Sequence, residues 1–154
     1  MSKKVVYIDM DGVLVDLVGW VESNYLPEYI ESTGIGTIVD NNAMAFYDPD
    51  PIEGAVEAFN KLAKDPRFDV YLLSTAPWAN PESWKAKRIW AQEHLGPGVI
   101  KRLILTHNKA LLKGDILIDD RDKNGAAEFE GEHIKFGTKP YETWTEVMKY
   151  LETI

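Results

Sequence analysis

Four of five short, strand-like runs in this chain stop at a knot of polar, chemically active residues, and that pattern constrains the fold more than any other feature. Lys4 to Ile8 is β-branched and aromatic and ends at Asp9. Asp69 to Leu73 ends at Ser74-Thr75. Leu103 to Leu105 leads into Thr106-His107-Asn108-Lys109, and Asp115 to Ile118 ends at Asp119-Asp120. His133 to Phe136 is a fifth run. Helical stretches separate them. Strands alternating with helices predict an α/β fold: a Rossmann-like parallel sheet of about five strands with helices on both faces. Ligands of such sheets sit beyond the carboxyl ends of the strands. The fold is therefore expected to bring Asp9, Asp11, Ser74, Thr75, Lys109, Asp119 and Asp120 into one crevice.

Helix signals fill the intervals. Asp50-Pro51-Ile52-Glu53 predicts a capping-box start for a helix reaching about Lys64. Asn80-Pro81 opens another, running to Leu95 and stopping at Gly96. Thr143-Trp144-Thr145-Glu146 is a capping box for the last helix. The stretch from Pro27 to Pro49 is less regular, with Gly34, Gly36, an Asn41-Asn42 pair and several aromatics. It reads as part of a small, mainly helical cap inserted at approximately 17–50. Residues 1–154 are expected to form a single domain carrying that insertion.

Charge and composition exclude several roles. The net charge of −8 disfavours a nucleic-acid polymer, whose binding needs a basic face, and equally disfavours anionic membrane. A small phosphorylated molecule is still compatible, because a metal ion and one or two cations can reverse the charge locally. The chain has no cysteine, which rules out thiol catalysis and thiolate metal sites. Its first residues meet Asp9 and Asp11 before a signal-peptide core could form, and no apolar run is long enough to span a bilayer. A cytoplasmic protein is expected. Oligomeric state is not legible.

Asp9 and Asp11 stand two apart in an extended segment and so point the same way. Two carboxylates on one side repel unless a cation lies between them, and magnesium takes such oxygen ligands. Gly12 lets the backbone approach an anion and aim N–H groups at it. A carboxylate can also attack phosphorus: Asp9 is read as the nucleophile, and Asp11 as the acid that protonates the leaving alcohol and then the base that activates water. Ser74 and Thr75 offer donors to phosphoryl oxygens, and Lys109 a positive charge. Lys113 is a rival lysine. Asp119-Asp120 supplies further metal ligands, with Asp122 read as surface. His94, His107 and His133 have no zinc-like spacing. Trp20 and Trp78 lie next to the motifs and are candidates for stacking on a ligand.

Together, Asp9-Met10-Asp11-Gly12-Val13, Ser74, Lys109 and Asp119-Asp120 resemble the four ordered motifs of the haloacid-dehalogenase (HAD) phosphohydrolases. A closer resemblance is to the 5'(3')-deoxyribonucleotidases. It is carried by Asp9 to Leu14, Gly54 to Ala58, Leu103 to Lys109, and Gly114 to Arg121 (Gly-Asp-Ile-Leu-Ile-Asp-Asp-Arg). The resemblance implies hydrolysis of (deoxy)nucleoside monophosphates through an aspartyl-phosphate on Asp9, with Mg2+ as cofactor. It implies metal ligation by Asp9, the Asp11 carbonyl and Asp120, with Asp119 supporting. It implies phosphate binding by Ser74 and Lys109, with Gly12 and Thr75 beside them. Two features depart from the family: the cap looks shorter than in the mammalian enzymes, and Leu17 stands where they carry an aromatic residue. Leu17, Trp20, Phe46, Tyr47 and Trp78 are the candidates for the substrate pocket. The alternatives are a phosphatase for another small phosphoester, such as a sugar phosphate, and a non-catalytic module that binds a phospholigand.

Overall fold

The computed structural model describes residues 2–154. Five strands form one sheet: β1 (Lys4–Ile8), β2 (Phe68–Ser74), β3 (Leu103–Leu105), β4 (Ile116–Asp119) and β5 (Glu132–Lys135). Their order is β3-β2-β1-β4-β5, and every neighbouring pair is parallel. The strand runs read from the sequence are therefore present, with β2 extended by one residue at each end, β4 shifted one residue later and β5 one residue earlier. In register, Ile8 lies beside Leu72 and Ile118, and Ser74 beside Leu105. The polar residues that follow the strands thus emerge along one edge.

Alternation along the strands separates two cores. Val6, Ile8, Val70, Leu72, Ile116 and Ile118 face one way. They pack against α4 (Ala55–Lys64), α5 (Glu82–Leu95) and α6 (Trp144–Glu152), chiefly through Phe59, Leu62, Trp90, Trp144, Val147 and Leu151. Tyr7, Leu73 and Leu117 face the other way, onto a thinner layer that includes Ala126 and Phe129. The capping box of α6 forms as read, with Thr143 and Glu146 bonding reciprocally. Gly96 ends α5 as expected, at φ 77°.

The expected helix start at Asp50-Pro51 is overturned. The helix begins at Ala55, and Gly54 in the left-handed region is its N-cap. The reason is tertiary. The chain returning at Asp50 runs alongside residues 14–16: Asp16 N donates to Asp50 O, Ile52 N donates to Leu14 O, and Val15 bridges Pro51. That pairing takes the Asp50 carbonyl, which would accept the first intrahelical bond, and holds the segment extended.

Between β1 and α4 lie three short helices, α1 (Leu17–Asn24), α2 (Pro27–Thr33) and α3 (Ile35–Asp40). They share a third cluster of Val21, Ile38, Val39, Ala45 and Phe46, which also packs on Ala86 of α5. Asn80 fastens this layer: its buried amide donates to the carbonyls of Val39 and Asn42. Tyr47 adds a hydrogen bond to Glu82. Among the described residues no helix is long and apolar enough to cross a membrane.

Candidate active site

The acids that converge are Asp9, Asp119 and Asp120, each offering an oxygen within 4.8 Å of the others. Asp9 follows β1, Asp119 ends β4, and Asp120 is the next residue. Asp9 is held by the sheet itself, since its N–H donates to Ile118 O at 2.9 Å. The residue is only 4% exposed. Burial is the largest force on its carboxyl and raises the pKa well above the ordinary range. Asp119, Asp11 and Asp120 add to the rise, and Lys109 opposes it. Burial, then Asp119, likewise raises Asp120.

Lys109 lies inside this group. Its Nζ stands 2.5 Å from Asp119 Oδ2 and 3.1 Å from Asp9 Oδ1. Burial works against the ammonium, but the two carboxylates outweigh it and hold its pKa above the ordinary lysine value. Its backbone is anchored too, with N–H donating to Asn124 O at 2.6 Å. The rival Lys113 is exposed, and its carbonyl accepts a bond from Tyr7. Asp122 is exposed and paired with Lys135. His133 lies against the carbonyl of Asp119, and His107 packs on Trp78 and Trp84.

Asp11 departs from the simplest expectation. Its carboxylate does not join the other three; instead Oδ2 pairs with Lys87 Nζ at 2.7 Å. The cation beside Asp11 is thus a lysine from α5. Lys87 is 1% exposed, and its ammonium also sits 4.9 Å from the centre of the Phe46 ring. One buried lysine therefore touches both the first motif and the inserted helices.

Two buried side-chain atoms at this edge have no hydrogen-bond partner, Ser74 Oγ and Asp120 Oδ1. Buried polar atoms are nearly always satisfied, so each marks a place for a bound group. Thr75 differs from Ser74: its hydroxyl is used on the Thr106 carbonyl at 2.7 Å. Gly12 has φ 80°, and a β-carbon there would fall 2.1 Å from Asp120 Oδ2. Its bareness lets Asp120 come in beside the first motif. An all-oxygen set of two buried carboxylates and the half-buried Asp120, with one Asp120 oxygen unsatisfied, fits a hard divalent cation.

Of the pocket candidates, Leu17, Trp20, Phe46 and Tyr47 gather in the cluster formed by the inserted helices. Trp78 does not join them. It is 81% exposed and packs edge-on against His107.

The profile of the family described as "5' nucleotidase, deoxy (pyrimidine), cytosolic type C protein" matches residues 3–150. The chain belongs to this family. A protein of Vibrio phage KVP40 named as a 5'(3')-deoxyribonucleotidase is 48% identical over 97% of this chain and 85% of its own. The 5'(3')-deoxyribonucleotidase of Bacillus subtilis is 34% identical over 87% of this chain and 85% of its own. Among solved structures, a HAD hydrolase of Bacillus subtilis bound to magnesium superposes with a TM-score of 0.58. It covers 98% of this chain and 99% of its own at 10% identity, a likeness of fold alone. The chain is an enzyme of the phosphoric monoester hydrolase class.

Lys87 is the residue of this nucleotidase-family site that sequence reasoning missed. The signal was present. Ser83, Lys87 and Ala91 are spaced by four, and with Ala86 and Trp90 they form the buried face of α5. A lysine on such a face needs an anion. Only the fold shows that the anion is Asp11.

Proposed function

We propose that this protein is a magnesium-dependent 5'(3')-deoxyribonucleotidase acting on nucleoside monophosphates in the cytoplasm. The observation that carries this reading is the buried convergence of Asp9, Asp119 and Asp120 around Lys109, with Ser74 Oγ unsatisfied at the same edge. Asp9, Asp120 and the Asp11 carbonyl would hold Mg2+, with Asp119 supporting. The ion would supply charge to offset the phosphoryl oxygens as they gain negative character.

The chain's own residues account for the proton and bond traffic. The Asp9 carboxylate attacks phosphorus, and the bond from phosphorus to the ester oxygen breaks. Asp11 gives its proton to the departing nucleoside hydroxyl. Water then attacks the aspartyl-phosphate while Asp11 takes its proton, and the bond from phosphorus to Asp9 breaks to release phosphate. Lys87 keeps the Asp11 carboxylate aimed. Ser74 Oγ donates to a phosphoryl oxygen and Lys109 balances the phosphoryl charge, whereas the Gly12 N–H is already given to Val15 O, so Gly12 serves by its bareness beside Asp120 and not as a donor. The inserted helices act as a cap, and Phe46, Tyr47, Trp20 and Leu17 offer the base an apolar and aromatic wall. Trp78 lies too far out in solvent to share that role.

The test compares kcat/KM for dUMP, dTMP, UMP and deoxyribose 5-phosphate with magnesium present. One stacked base contributes roughly 1–3 kcal/mol, so the nucleotides should exceed the sugar phosphate by about five- to a hundred-fold. A modest preference for the deoxy form is expected. Equal constants for sugar phosphate and nucleotides would leave a phosphatase of another small phosphoester. Binding of all four without turnover would leave a non-catalytic module.

A further inference from the structure

A wide groove lies away from the acid cluster, between α5 and the edge strand β3. Its volume is about 740 Å³, within the range of small-molecule sites. One wall is a stripe of α5 spaced by four: Trp84, Arg88 and Gln92. The opposite wall is the turn carrying Ile100 and Lys101, and the floor is apolar, with Ala91, Val99 and Leu103.

The polar character of this groove runs against the rest of the chain. Acids outnumber bases by 25 to 17 overall, yet no carboxylate lines it. Arg67 and Arg102 each pair with an aspartate. Arg88, Lys101, Gln92 and the Trp84 indole make no ion pair or side-chain hydrogen bond among the described residues. Two unpaired cations, an amide and an indole that is 36% exposed thus surround one apolar floor.

The walls are also preformed. Lys101 sits at φ 62°, a conformation a lysine holds only when its surroundings impose it. Those surroundings are visible: Arg102 N donates to Val99 O, Leu72 N donates to Arg102 O, and the Arg102 guanidinium pairs with Asp69. The Trp84 ring packs on His107 with ring centres 5.9 Å apart, which fixes its tilt.

We infer that the α5–β3 groove is a second binding site, for a flat aromatic anion of nucleotide size. Its ring lies against Trp84 and the apolar floor, and its phosphates engage Arg88 and Lys101. Aromatic stacking tolerates any base, and unpaired cations supply the attraction for anionic groups. The active centre uses the neighbouring face of α5 through Lys87, so the two sites share a helix and no side chain.

The test is a titration of the 15N-labelled full chain with dTTP in excess chelator, where the active centre is without metal. Saturable amide shifts are expected across residues 84–92 and 99–105. R88E/K101E should weaken them at least tenfold while leaving basal kcat/KM within twofold. W84A should weaken them roughly five- to a hundred-fold, and W84F should largely restore them. Inorganic triphosphate should bind more weakly than dTTP. The inference is overturned if shifts stay at residues 9–12 and 119–121, if R88E/K101E binds dTTP as wild type does, or if triphosphate alone matches dTTP. It is also overturned if the groove shifts track self-association of the chain, because a second copy would then be the occupant. Binding here is read without turnover, so its failure is separable from failure of the nucleotidase reading.

Discussion

The strand-end acid cluster and the inserted helices are held by different means. Asp9 and Asp119 are extensions of a parallel ladder, buried, and tied together through Lys109. The helices α1 to α3 are six to eight residues long, and only α1 has a side-chain N-cap. Helices so short owe their stability to packing, here one small cluster, the Asn80 amide and the Tyr47–Glu82 bond. They also leave Val18, Leu26, Tyr29 and Met44 exposed. The lesson is a division of labour: the groups proposed to react sit where the backbone is over-determined, and those proposed to discriminate among substrates sit where it is lightly held.

The largest effect should come from the ladder side. Asp9→Asn is expected to lower turnover by several powers of ten, measured as phosphate release, with the circular dichroism spectrum unchanged. The same variant should melt higher than wild type in chelator at neutral pH. The raised pKa means that the fold favours a protonated Asp9, so ionising it costs stability as pH climbs from the ordinary Asp range through the raised value. Asn removes that cost, and its advantage should shrink as pH falls toward 4. Wild-type turnover by Asp9→Asn would remove the ladder's claim to the chemistry.

Next comes the junction between the two regions. Lys87→Met keeps the buried stem and removes the charge beside Asp11 and Phe46. A drop in kcat of about 10- to 100-fold is expected, with a loss of about 1–3 kcal/mol in urea unfolding. Unchanged kcat would mean that α5 only packs and that the regions are independent. Metal binding should follow in size. Magnesium at a hundred times its Kd should stabilise the chelated protein by about 2.7 kcal/mol, read as a rise in Tm. Asp120→Ala should erase that rise more fully than Asp119→Ala; the reverse order would invert their assigned roles. The smallest effect belongs to the insertion. Phe46→Leu should reduce the nucleotide-over-sugar-phosphate ratio a few-fold and barely change the rate on the sugar phosphate. An equal loss on both would place Phe46 with the chemistry.

The same division explains what the sequence made legible. The sheet and its polar strand ends could be read because β-branched runs and the residues that stop them are local signals. The start at Asp50 was misread because its competitor is the pairing with residues 14–16, which no local window contains. The Asp11 carboxylate was assigned to a shared cation because alternation gives a side, and the partner on that side comes 76 residues later. Ser74 and Thr75 looked interchangeable as donors, and only the Thr106 carbonyl tells their hydroxyls apart.

The bond from Asp9 N to Ile118 O has one more consequence. An amide bonded into a buried parallel sheet exchanges its hydrogen through larger openings than amides in short, lightly packed helices, which exchange through local ones. The proposed nucleophile and the insertion above it should therefore keep different clocks. Deuterium should fill the amides of residues 17–48 well before it reaches Asp9.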